Sequence, residues 1–144
     1  GHKVTKVYLA IVDGCPPLLS GRIENHIARN PNDRQKMAVV MPPLGKPAIT
    51  EYSVCSPRGD ASLVECRIFT GRTHQIRVHM KSLGTPILGD PVYAKPARQK
   101  VTAPRLMLHA WKLGFPHPVN DEPLLFESSP PPEFKPWTLP IKPK

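Results

Sequence analysis

Apolar and polar residues alternate through residues 62–70, with Val64, Cys66 and Ile68 on one side and Leu63, Glu65 and Arg67 on the other, the period of a half-buried strand. The same pattern predicts strands over residues 4–12, 21–24, 35–40, 49–54 and 106–115. In the first of these Lys6, Tyr8 and Ala10 share a face opposite Val7, Leu9 and Ile11, and the Asp13-Gly14 turn signal ends it. In the last, Met107, His109, Trp111, Leu113 and Phe115 alternate with their neighbours. After Thr73 the period lengthens: Ile76, Met80 and Leu83 recur at i, i+4 and i+7, which predicts a helix over residues 73–83. Thr73 stands where a side chain caps the first turn, Gly84 where a left-handed C-terminal cap belongs, and Pro86 just beyond. Many strands, stiff connectors and one helix predict an α+β domain around a mixed, mainly antiparallel sheet.

Composition sharpens this picture. The 144 residues suffice for one domain, and the 20 prolines cluster in connectors, which leaves the strand runs clean. Residues 1–128 form the expected folded unit, and 129–144 a Pro-rich tail with too little apolar content to pack on its own. Lys and Arg outnumber Asp and Glu by 20 to 11, a balance that favours a polyanionic partner. With only nine Phe, Trp and Tyr residues, a broad single-strand stacking platform is not expected. Cys15, Cys55 and Cys66 are odd in number and widely spaced, so they are expected to be reduced, buried thiols of an intracellular protein. No CxxC pair exists, and His74 and His79 are five apart rather than four, so no metal site is expected. No 18-residue apolar span is present to cross a membrane as a helix.

The chemistry concentrates at the joint between the strand over 62–70 and the helix, where Arg72, His74, Gln75, Arg77 and His79 gather. Spacing alone leaves three outcomes open at such a joint: a phosphate site, a carboxylate site or a solvated basic face.

Residues 69–93, reading FTGRTHQIRVHMKSLGTPILGDPVY, resemble the third sequence motif of the RluA-type RNA pseudouridine synthases. Three further blocks agree in the same order: KVYLAIVDG with Lys6, Tyr8 and Ala10, then GKPAITEY from Gly45 to Tyr52, then PRLMLHA from Pro104 to Ala110. The resemblance covers residues 3–128. It implies part of a pseudouridine synthase catalytic domain and RNA, ribosomal or transfer, as partner. It implies no cofactor, since the reaction is an internal rearrangement. It assigns Arg77 to an ion pair with the catalytic aspartate, and Tyr8 to the target base. More loosely, Arg72, His74 and Gln75 go to RNA backbone and base-edge contacts, with Lys46 and Arg34 in basic loops.

One family element is missing. The nucleophilic aspartate belongs to an HRLD motif, and none occurs here; Asp90 lies in the LGD block, which in the family is not the nucleophile. The chain is therefore expected to be the C-terminal portion of a synthase, inactive alone, with the other half of the catalytic domain as a partner. The competing expectation is a non-catalytic RNA-binding module derived from that fold. A third is a basic domain that meets protein partners through a sheet edge.

Overall fold

The computed structural model describes residues 4–138. Seven strands, β1 (Thr5–Asp13), β2 (Ser20–Arg29), β3 (Met37–Val40), β4 (Lys46–Ser56), β5 (Ala61–Ile68), β6 (Leu108–Pro116) and β7 (Pro123–Glu127), form one sheet in the order β3-β2-β4-β5-β1-β6-β7. All of its ladders are antiparallel. Helix α1 (Gln75–Ser82) follows β5, and the short α2 (Lys135–Thr138) follows a 3-10 turn at Pro132–Phe134. No helix among the described residues is long and apolar enough to cross a membrane.

Registers fix the two faces of the sheet, because side chains of directly paired residues point the same way. Tyr8 pairs with Cys66 and Cys66 with Tyr52, while Thr50 pairs with Ile68 and with Ile23. These residues share the face that α1 covers. Leu9, Ile11 and Leu63 lie on the other face, where α2 packs. Both faces are apolar at the middle of the sheet, so Ala10, Ile11, Val12, Val64 and Cys66 are all fully buried. The segment carrying LGD is stitched beneath β1: Leu88 N–H donates to Ile11 C=O at 2.8 Å and Met107 N–H to Leu88 C=O at 3.0 Å. Gly89 permits this approach, since at φ 75° a Cβ there would collide with the carbonyl of Arg105.

Several expectations change. β2 runs to Arg29, well beyond residue 24, because its continuation (Asn25, His26) is polar and hides the strand from a hydrophobic pattern. β7 was not expected: PLLFE is short and does not alternate, and only its ladder with β6 makes it a strand. Thr73 does not cap α1. His74 occupies the N-cap position with φ 55° and makes no side-chain cap, and the Gln75 side chain instead accepts the N–H of Arg72 at 3.1 Å. Gly84 does take the left-handed conformation, at φ 82°. Cys55 is exposed at a bulge where β4 slips against β5 between Val54 and Ser56, so only Cys66 of the three thiols is fully buried. The start of the Pro-rich tail is folded: Phe134 is fully buried in the main core, and Trp137 Nε1–H donates to Ala61 C=O at 3.2 Å. The rest of that tail, residues 139–144, lies outside the described residues.

Candidate active site

A cavity of about 270 Å³ opens on the α1 face of the sheet, and Tyr8, Arg72, His74, Gln75 and Arg77 all line it. Tyr8 comes from β1, the other four from the β5–α1 joint and the first turns of α1, and Ile68, Ile76, Leu106 and Leu108 supply apolar walls. The volume is just below the usual lower bound of ligand cavities, about 300 Å³, which suits a single ring rather than a large ligand. Of the other two residues singled out in the sequence, Lys46 lines a neighbouring cavity of about 360 Å³, and Arg34 is an exposed loop residue that borders neither.

Arg77 has a carboxylate partner that spacing did not reveal. Its Nε and Nη2 donate to Asp90 Oδ2 and Oδ1 at 2.9 and 2.8 Å, a two-pronged pair on a fully buried carboxylate. Asp90 Oδ1 also accepts the N–H groups of Val92 and Tyr93 at 2.9 and 3.1 Å. Burial pushes the Asp90 carboxyl upward, but the Arg77 guanidinium and the two amides outweigh it and hold the group below the usual carboxylate range. Fully buried and with both oxygens engaged, Asp90 is a bracket for Arg77 rather than an attacking group. The guanidinium also sits over the Tyr93 ring, 5.3 Å from its centroid, which leaves Nη1 as its uncommitted corner.

Tyr93 organises the next residue along. Its hydroxyl accepts the Met37 N–H at 2.7 Å, which leaves its proton for His74 Nδ1 at 2.8 Å. Burial, reinforced by the Arg77 charge, lowers the His74 pKa and keeps the imidazole neutral. Accepting at Nδ1 places the His74 proton on Nε2, so the ring carries a hydrogen-bond donor at Nε2.

Beneath the cavity runs a closed hydrogen-bond chain. Thr70 Oγ1–H donates to Gln75 Oε1 at 2.7 Å, and Gln75 Nε2–H donates both to Ile49 C=O and to Thr50 Oγ1, each at 2.9 Å. Thr50 Oγ1–H then donates to His79 Nδ1 at 2.8 Å, and His79 Nε2–H to Asn25 Oδ1 at 2.8 Å. Each hydroxyl gives once and receives once, so the polarity of the chain is fixed and His79 must be neutral. Burial alone lowers its pKa to about 4. Gln75 is therefore less a ligand-facing group than the residue that ties the 70–74 joint to β4. The sequence missed Asn25, Thr50 and Tyr93 as partners; the only signal was that Thr50 and Tyr93 fall inside the matching blocks.

Comparisons with known proteins place the chain in a family. The family model described as RNA pseudouridylate synthase matches residues 1–82. The ribosomal large subunit pseudouridine synthase D of Zymomonas mobilis is 43% identical over 140 residues, which cover 93% of this chain and 44% of that protein. RNA pseudouridine synthase 2, chloroplastic, of Oryza sativa subsp. japonica is 37% identical over 92% of this chain and 36% of its own length. The solved structure of human RNA pseudouridylate synthase domain containing 1 superposes with a TM-score of 0.72 at 31% identity, over 88% of this chain and 54% of that one. The chain thus spans less than half the length of these two curated relatives.

Proposed function

This chain belongs to the RluA-type RNA pseudouridine synthase family, and on that premise we propose that it forms the uridine-handling wall of an enzyme that isomerises uridine to pseudouridine in structured RNA, ribosomal or transfer RNA. The observation that carries the reading is that Tyr8 and Arg77, far apart in sequence, border one ring-sized cavity together with Arg72 and His74.

The reaction breaks the bond from C1′ to N1 of uridine, turns the uracil and rejoins it to the ribose through C5. A base inside a stack cannot turn, so the target nucleotide leaves its stack and enters a pocket. Tyr8 offers a flat ring to the uracil and a hydroxyl with no partner within the described residues. Arg77, clamped by Asp90, presents Nη1 to the nucleophilic aspartate, which is supplied from outside these 144 residues. A guanidinium in that place keeps a dehydrated carboxylate ionised and oriented, the state in which it attacks C1′. His74 Nε2–H and Arg72 contact base edge and backbone, and Gln75 holds the joint that carries them. Neither metal nor nucleotide cofactor takes part.

The test uses the longer protein that contains this chain, with RNA carrying 5-tritiated uridine. Tritium release that drops by at least about a hundredfold in Arg77→Ala and Tyr8→Phe is expected, the scale on which loss of a positioned catalytic group is felt. Binding of RNA without any tritium release by the unaltered protein would favour a non-catalytic RNA-binding module in its place.

A further inference from the structure

His74 stands in the left-handed backbone region, at φ 55°, where glycine is at ease and a residue with a Cβ is strained. The ring does not compensate as a helix cap, since it makes no hydrogen bond to the first turn of α1. What holds it is Tyr93. The two rings meet edge to face with centroids 5.5 Å apart, and the Tyr93 hydroxyl lies 2.8 Å from His74 Nδ1. A histidine kept in a conformation that glycine adopts more readily points to a task for its ring.

Tyr93 does not border the ring-sized cavity, which His74 and Arg77 both line. It nevertheless touches both of them through separate atoms. Its hydroxyl meets His74, its ring lies 5.3 Å from the Arg77 guanidinium, and its N–H donates at 3.1 Å to Asp90 Oδ1, the carboxylate that brackets Arg77. A further tie runs to the sheet. Because the Met37 N–H can only donate, the hydroxyl accepts it at 2.7 Å and keeps its own proton for Nδ1. Tyr93 is buried, so protein atoms set that polarity. Burial and the charges of Arg77 and Arg29 oppose a second proton on the His74 ring, against the contrary pull of Asp90. We propose that Tyr93 is a positioning residue for this site: its hydroxyl, anchored on the edge strand β3, fixes the tautomer and orientation of His74, so that the imidazole meets the substrate as a donor at Nε2. This rests on the proposed function and adds to it a residue that touches neither substrate nor reacting atoms. It also makes β3 part of the site, since a shift of Met37 moves the hydroxyl that holds the ring.

The test is Tyr93→Phe, which removes the hydroxyl and keeps the ring beside Arg77. Long-range proton–nitrogen correlation spectra of the isotopically labelled chain are expected to show His74 as the Nε2–H tautomer. An Nδ1–H tautomer there overturns the proposal before any substitution is made. In Tyr93→Phe the ring should become a mixture of tautomers, and its titration should move up by about half a pH unit, because a donor to the neutral ring is lost. The charged groups that bear on that titration, Arg29, Arg77 and Asp90, are the same in both proteins. In the longer protein that contains this chain, tritium release should fall about tenfold in kcat, the weight of one hydrogen bond, with KM for the RNA little changed. His74→Gly, whose backbone accepts a positive φ, should lose at least as much, and Tyr93→Phe added to it should lose nothing further. Additive losses, or a His74 spectrum that Tyr93→Phe leaves as it was, overturn the positioning role and leave Tyr93 as an anchor of β3 alone. A longer protein that releases no tritium, while the His74 spectrum responds as expected, overturns the reaction and upholds the grip of Tyr93 on His74.

Discussion

Arg77 is worth more to the fold than a surface arginine because its partner is fully buried. Removing it leaves Asp90 with two amide donors and no counter-charge, and breaking one side of a buried pair costs about 3 to 5 kcal/mol. Arg77→Ala is therefore expected to lower the urea midpoint strongly, and Arg77→Met/Asp90→Asn to recover a good part of the loss, since the dehydrated charge goes with its partner. The activity assay and the stability assay separate here: the double variant regains folding and not turnover. His79 gives a second measure. Its unfolded pKa is near 6.5 and burial lowers the folded value to about 4, so the unfolded chain binds the extra proton between those limits. Stability held in full above pH 6.5 is lost as the pH falls towards 4, by about 3 kcal/mol. Denaturant melts of the unaltered chain should show that decline, and His79→Gln, though less stable at pH 7, should be much flatter over the same window. An equal decline in both proteins would remove the neutral His79 from the hydrogen-bond chain to Gln75.

At the scale of elements, the joint between β5 and α1 and the folded segment after β7 behave differently. Phe134 is fully buried, and Arg105 stands over its ring at 5.8 Å while bonded to Glu133 at 2.9 Å. Phe134→Ala should cost about 3 to 5 kcal/mol, the range for deleting a buried aromatic side chain. Because Trp137 is carried on α2 just behind it, the loss should appear as a red shift of tryptophan emission. Unchanged emission and stability would mean that α2 does not dock in solution. Nothing in the sequence of residues 129–138 announces this docking, since one phenylalanine among prolines carries no period. β1, β5, β6 and α1 were legible because each keeps a regular apolar period, although β1 and β5 are buried on both faces and not on one alone. The far end of β2 and all of β7 were not, being defined by the ladders they join rather than by their own residues. Of the residues singled out in the sequence, Tyr8, Arg72, His74, Gln75 and Arg77 fall in matching blocks and line one cavity, whereas Lys46 and Arg34 do not line it. The partners that orient them, Asp90, Tyr93, Thr50 and Asn25, became visible only when the chain folded. Lone polar residues on a buried face look the same in sequence whether or not they are paired.

Among the described residues the sheet has two open edges, β3 and β7, and they are not equivalent. β3 is four residues long and is followed by Pro42 and Pro43, so it offers little ladder to another chain. β7 is five residues long with proline only at its first position, and Leu125 and Phe126 are 65% and 55% exposed. Leu113 of the adjoining β6 is also exposed, and Phe126 stacks on Phe115 with centroids 5.5 Å apart. An apolar strand whose outer hydrogen-bonding groups lack a neighbour is a template for another strand. In the isolated chain the available occupant is a second copy, joined β7 to β7. The net charge of +9 opposes that union, and salt screens the repulsion over about 8 Å at physiological strength. Self-association measured by light scattering should therefore rise with both protein concentration and salt, the opposite of the salt dependence expected for RNA binding. Leu125→Lys adds a charge at the edge itself and should return the chain to a monomer under all of these conditions without changing RNA affinity by more than about twofold, the weight of one distant charge. A monomer at millimolar concentration in high salt, before any substitution, would show that β7 is already protected and that this edge recruits nothing.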